Sequence, residues 1–199
     1  MASAALREKQ APIKSQYKSD PTSAVVTLHS SGTLDASSIT CKLDTGRATA
    51  EARQKVAGLH PKAGGDDPTI SGELCSGDML LEALVACAGV TLKAVATALE
   101  IPILEGTVRA EGDLDFKGTM GVDREAPVGF TAIRLGFELR LADGVEVPEE
   151  KVEKLGKLTE RYCVVLQTIA RKPKVSVSLR GTQEAEQGVE RSVGWNQEG

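Results

Sequence analysis

The clearest signal along the chain is strict alternation. Ile133, Leu135, Phe137, Leu139 and Leu141 interleave with Arg134, Gly136, Glu138 and Arg140. That period of two predicts a strand over residues 130–141 with one apolar and one polar face. The same period, in shorter runs, predicts strands over 24–29, at Ile39, Cys41 and Leu43, over 107–116, and at Val175, Val177 and Leu179. Ser30-Ser31-Gly32 reads as a turn after the first of them. Two segments follow the helical period instead. One spans residues 78–100 and is stopped by Pro102; the other opens at Pro148-Glu149-Glu150 and continues to Arg171, ahead of Pro173. Proline and acids suit a helix N-terminus. Strands, helix, strands, helix, strand is an α+β layout.

The elements leave three segments over. Residues 44–77, broken by Gly58, Pro61, Gly64-Gly65, Pro68 and Gly72, form a long connection of the kind that is functional or packs on a neighbour. Residues 1–22 are polar and carry Pro12 and Pro21; residues 181–199 are polar and without period. Both read as tails around a single domain over residues 23–180. A chain of 199 residues is enough for one such domain and thin for two.

Composition narrows the chemistry. With aromatics at only 3%, the core has to be aliphatic. The 28 acidic and 24 basic side chains give a net charge of -4, with no clustered basic stripe, which argues against a nucleic-acid surface. The first eighteen residues, MASAALREKQAPIKSQYK, place charges where a secretion signal needs an apolar core. Residues 79–101 are apolar enough to raise the question of a membrane, yet contain Glu82, Lys93 and Glu100, so a buried core helix is expected. The expected location is the cytoplasm, where four cysteines are free, catalytic or metal-bound rather than structural disulfides.

Helical geometry then separates the cysteines. At ~100° per residue, Asp78, Glu82, Gly89, Lys93 and Glu100 fall on one stripe of the first helix, and Cys87, about 140° from Glu82, points into the core with Ala83 and Thr91 a turn away. On the second helix Val152, Leu155, Thr159, Leu166 and Ala170 share an arc, with Cys163 near its edge. Packing of the two faces would let Cys87 and Cys163 approach; a disulfide needs a Cα separation of about 4.4–6.8 Å. A buried thiol alone is ordinary, since free cysteine is among the most buried residue types. The other candidates are plainer. Cys41 shares a strand face with Ile39 and Leu43, Cys75 lies in a loop, and their spacing does not suggest zinc. His29 and His60 are far apart, and His60 reads as a surface loop residue. Gly64-Gly65-Asp66-Asp67 lacks the Lys-Ser/Thr of a phosphate loop.

At these residues the chain resembles a known family. SGDMLLEALVACAGVTLKAVATAL, residues 76–99, TERYCVVLQT, residues 159–168, and GTMGVDREAPVGFTAIRLGFEL, residues 118–139, are similar to the OsmC/Ohr family of thiol peroxidases, in an element order covering about residues 24 to 180. The resemblance implies an intertwined homodimer, with antiparallel sheets wrapped around two long central helices and active sites at the subunit interface. It implies that Cys87 is the peroxidatic thiol and Cys163 the resolving one, reducing organic (lipid or alkyl) hydroperoxides through a Cys87 sulfenic acid and a Cys87–Cys163 disulfide. The apolar surroundings of Cys87, including Leu84 and Val90, fit such a substrate. An external dithiol must reopen the disulfide, and no metal, flavin or other cofactor is needed.

Attack requires thiolate, and burial opposes it, so a cation should stand beside Cys87. The family's pattern implies an arginine ahead of the helix, held by a carboxylate near the helix start; Arg47 is the candidate, with Arg53 second. Where the family commonly has Pro-Glu, this chain has Ser76-Gly77-Asp78. Asp78 either holds the arginine or caps the helix. Glu82 lies on the far side, and Glu73 in the preceding loop is a lesser candidate. Cys163 is followed by Val164 where the family often has a proline. The alternative function is a non-catalytic dimer of the same fold that binds an apolar ligand or senses redox state.

Overall fold

A computed structural model describes residues 2–34, 41–43, 57–66, 74–185 and 189–198. The chain divides into two compact units, Met1–Leu166 and Gln167–Gly199. In chain order the first unit holds α1 (Ala2–Ser19), a 3₁₀ turn (Pro21–Ala24), β1 (Val25–Leu34), β2 (Cys41–Leu43), β3 (Ala57–Gly58), a second 3₁₀ turn (Pro61–Ala63), β4 (Leu74–Cys75), α2 (Ser76–Ala98), β5 (Ile103–Asp115), α3 (Phe116–Thr119), β6 (Phe130–Leu141) and α4 (Glu149–Tyr162). A short helix, α5 (Val164–Arg171), begins there and runs across the boundary. In the second unit β7 (Ser176–Ala185) and β8 (Val189–Glu198) pair as an antiparallel hairpin. Mixed helix and antiparallel sheet is the α+β class expected.

The main sheet has the order β2-β1-β5-β6, antiparallel throughout. β1 pairs with β5 from Val25↔Asp115 to Thr33↔Thr107. Ser30, Ser31 and Gly32 therefore continue the strand instead of turning; their weak strand preference yields to the ladder with β5. β6 is the strand its alternation predicts. Its polar face carries cross-strand ion pairs to β5: Arg134 to Glu111 at 3.1 Å and, through both terminal nitrogens, to Asp113; Arg140 to Glu105; and Arg109 to Glu138, both at 2.6 Å. Exposed pairs of this kind add little stability and chiefly favour one register.

α2 lies across β1, β2 and β5, with α4 against it. Its buried arc is Leu81, Leu84, Val85, Ala88, Gly89, Leu92, Lys93 and Ala96, spaced three and four apart. The expected polar stripe is thus turned: Gly89 and Lys93 face inward, the lysine covering apolar surface with its stem. α2 is long and apolar enough to cross a membrane, and 56% of that stretch is buried inside the protein. The inner row of β6 (Ile133, Leu135, Phe137, Leu139, Leu141) stays half-buried, because α2 lies over β1 and β5 instead.

Residues 2–19, expected as a tail, form α1 and dock. Gln10 Nε2 donates to the Ala63 carbonyl at 2.9 Å, the Tyr17 hydroxyl donates to the Lys62 carbonyl at 2.7 Å, and Lys9 pairs with Asp66. Tyr17 closes a small core with Ala24, Ala63, Phe116 and Met120. Residues 189–198, also expected as tail, form β8 by pairing with β7. In both segments the tertiary partner supplies what periodicity lacks.

His60, expected on the surface, is half-buried. Its ring centroid lies 5.0 Å from that of Phe116, and its Nδ1 accepts the Lys62 N–H at 3.0 Å, so the neutral ring carries its proton on Nε2. Burial holds its pKa below the ordinary histidine value; Asp78 opposes this and Lys62 reinforces it. The unfolded imidazole takes a proton near 6.5 while the folded one resists, so below that pH the unfolded state binds more protons. Stability is full above pH 6.5 and falls on acidification toward the lowered folded pKa. Burial raises the Asp78 carboxyl, which contributes in the opposite sense above its ordinary 3.8. Urea unfolding at stepped pH checks this: the parent loses stability as pH drops below 6.5, and His60→Asn, which keeps an acceptor for Lys62 without titrating there, flattens the slope. An equal slope in both proteins would refute the assignment.

Candidate functional site

The site is made where α4 stops. Leu155, Thr159 and Cys163 follow one another at four-residue spacing and are all buried, Cys163 completely. Thr159 Oγ1 is satisfied by the Leu155 carbonyl at 2.8 Å. A continuous helix to Arg171 is expected from the sequence; instead the backbone leaves it at Cys163, whose φ of -71° and ψ of 103° are extended. The Cys163 N–H still reaches the Thr159 carbonyl at 3.0 Å, so the departure is a rotation about one ψ angle. Neither proline nor glycine marks it. Val164 and Val165, β-branched and indifferent helix formers, follow the break.

That rotation frees N–H groups. In an unbroken helix the amides of Val164, Val165 and Leu166 would bond carbonyls four residues back; at the start of α5 they have none there. Cys163, the residue before α5, stands where those amides begin.

Cys87 comes from the middle of α2, on the edge of the buried arc and half-buried. The two thiols are hydrogen-bonded to each other, and the Thr91 hydroxyl, one turn on along α2, also reaches the Cys87 sulfur. Burial, the largest single influence, pushes the Cys87 pKa up. The donors from Val165, Cys163, Val164 and Thr91 together outweigh it, and the net direction is below the ordinary thiol value. Cys163 goes the other way. Burial raises it, the Leu166 amide offsets part of that, and hydrogen bond and charge at Cys87 raise it further, to about 11. The two thiols shift in opposite directions.

Cys87 and Cys163, expected to approach from the sequence, are neighbours here, but not through two unbroken helices. The sequence also missed the donors at Val164 and Val165, which no residue-type signal could reveal, and passed over Thr91, whose position one turn from Cys87 was visible. Asp78 is not at the sulfur. It sits in the first turn of α2, about 14 Å along the axis from Cys87, with His60 and Glu82 as its electrostatic neighbours. Arg47, Arg53 and Glu73 lie outside the described residues. Cys75 forms part of β4 and leads into α2, and is half-buried.

One more feature surrounds Cys87. Leu80, Ala83, Val90 and Ala94, at alternating spacings of three and four, continue its line along α2 and are exposed, Leu80 to 39% and Val90 to 42%. An apolar stripe on the longest helix is left uncovered with the acidic thiol at its centre.

Comparison with known proteins fits this arrangement. The family model described as OsmC-like protein matches residues 65–178, more than half of the chain. The crystal structure of an OsmC-like hydroperoxide resistance protein from Jannaschia sp. CCS1 superposes with a TM-score of 0.50, covering 85% of this chain and 99% of that one at 15% identity, a likeness of fold. No curated protein matches. With the family model spanning both thiols, the helices that carry them and most of the sheet, the chain belongs to the OsmC-like family.

Proposed function

We propose that this protein is a thiol peroxidase that reduces organic hydroperoxides with Cys87 and Cys163. The observation that carries the reading is the meeting of Cys87, on α2, with Cys163, at the end of the helix packed against it. In this mechanism the Cys87 thiolate attacks the terminal peroxide oxygen, the O–O bond breaks, and the alkoxide leaves with a proton as the alcohol. Cys87 is then a sulfenic acid. Its negative charge is gone, and with it both influences by which Cys87 raised Cys163. Cys163 becomes easier to ionise when it is needed. Its sulfur attacks the sulfenic sulfur, water leaves, and a Cys87–Cys163 disulfide forms. An external dithiol restores both thiols by two exchange steps and is itself oxidised to a disulfide.

The uncovered stripe of Leu80, Ala83, Val90 and Ala94 beside Cys87 favours an apolar peroxide over a small polar one. The hydroperoxide resistance protein of similar fold supports the same substrate class. A second copy of this chain is the proposed cover for the remainder of that stripe and for the half-buried row of β6, giving a homodimer that works in the cytoplasm. Arg47 and Asp78 are retained as the guanidinium–carboxylate pair that family resemblance suggests for orienting the peroxide. The non-catalytic alternative finds less support, because an inert core pair has no need of donors that favour thiolate at one member.

Peroxide consumption with a dithiol reductant tests the chemistry. Cys87→Ser is expected to lower turnover by more than about a hundredfold, and undiminished turnover would remove the proposal. Cys163→Ser is expected to form sulfenic acid and then over-oxidise to sulfinic acid, visible in the intact mass. The assembly has its own check. Sedimentation should give twice the chain mass, and Leu80→Lys on the exposed stripe should shift the protein toward monomer; a monomeric parent would exclude the dimer.

A further inference from the structure

We infer that the exposed face of the β7–β8 hairpin, together with the basic run Arg171-Lys172-Pro173-Lys174 ahead of it, is a docking surface for an anionic lipid bilayer. The chain rests on the headgroups there and does not cross the membrane. The inference goes beyond the thiol chemistry and does not depend on it.

The strand register defines the face. Leu179 pairs with Trp195 and Val177 with Gln197, so Val177, Leu179 and Trp195 share one side of the hairpin. Ser176, Ser178 and Asn196 occupy the other. Val175, one step ahead of β7, continues the apolar alternation. All of these apolar side chains are exposed: Val175 to 59%, Val177 to 50%, Leu179 to 61% and Trp195 to 52%. A two-stranded hairpin is marginal in water by itself, and an apolar face left bare on it points to a partner. Trp195 is the chain's one tryptophan. An exposed indole beside aliphatic side chains suits the bilayer interface, where its ring sits among headgroups and its N–H stays wet.

Charge decides which partner. Residues 161–183 hold five basic side chains and no acidic one, in a chain whose net charge is -4. Arg171, Lys172 and Lys174 are exposed just before the apolar strand, and have no carboxylate partner among the described residues. Lys172 stands at φ 45°, a left-handed position past the end of α5 that glycine fills with less strain. A lysine there keeps a charge beside the face. Basic residues flanking an apolar face are the pattern of a protein that lies on an anionic leaflet. Headgroups attract the lysines and arginines, and the apolar side chains enter the acyl boundary. The same face of a second copy carries no carboxylate to meet that run. A protein held on a bilayer is also held beside any hydroperoxide its acyl chains carry.

Vesicles test the surface directly. The full chain is mixed with vesicles of equal parts phosphatidylcholine and phosphatidylserine, or of phosphatidylcholine alone, and sedimented; Trp195 emission reports the hairpin without a label. The parent should sediment with the mixed vesicles, its emission should move to the blue, and added salt should weaken both. The double substitution Lys172→Gln, Lys174→Gln should weaken binding roughly ten- to thirtyfold, and Leu179→Ser should remove the blue shift. These positions are exposed, so the fold is left intact. Cys87→Ser should dock as the parent does, which keeps loss of peroxide turnover and loss of docking apart. Failure of the parent to sediment with the mixed vesicles overturns the inference. So does binding that neither variant weakens, or a Trp195 emission already blue in buffer, which would show the face covered by a second copy.

Discussion

One backbone rotation governs this site. At Cys163 the chain turns out of α4 and at once begins α5. Cys87 stands in mid-helix, where its own helix dipole has faded, and partial burial disfavours its charge. Leu155 and Thr159 are buried on α4, which packs on α2. The next residue of that face is Cys163, and the two thiols are electrostatic neighbours.

The rest of the first unit serves to hold α2. Its inner arc of Leu81, Leu84, Val85, Ala88, Leu92 and Ala96 is pressed on the sheet, and Cys87 lies at the margin of that arc. A residue deeper in the arc would be closed off from solvent, as Leu84 and Ala88 are. Ala83, one turn before Cys87, keeps the helix surface shallow beside the sulfur. At the other end, α1 and His60 fasten the turn of residues 60–63 near the start of α2, with Asp78 as the electrostatic link. The family match begins at residue 65, so this fastening lies mostly ahead of it.

Much of this was legible in the sequence, and the exceptions have physical reasons. The alternation from Ile133 to Leu141 delivered β6, and the apolar run before Pro102 delivered α2 to within two residues of its ends. Both rest on side-chain periodicity. The pairing of Cys87 with Cys163 was reachable from helix faces plus family likeness. The break at Cys163 was not, since Tyr162, Val164 and Val165 are all residues that helices accept, and a ψ of 103° is decided by tertiary contacts. Nor were α1 and β8, whose sequences have no strong period and gain their structure from the turn at residues 60–63 and from β7. His60 read as a surface residue because its partner Phe116 stands 56 positions away. The expected cation, Arg47 or Arg53, falls in a segment outside the described residues.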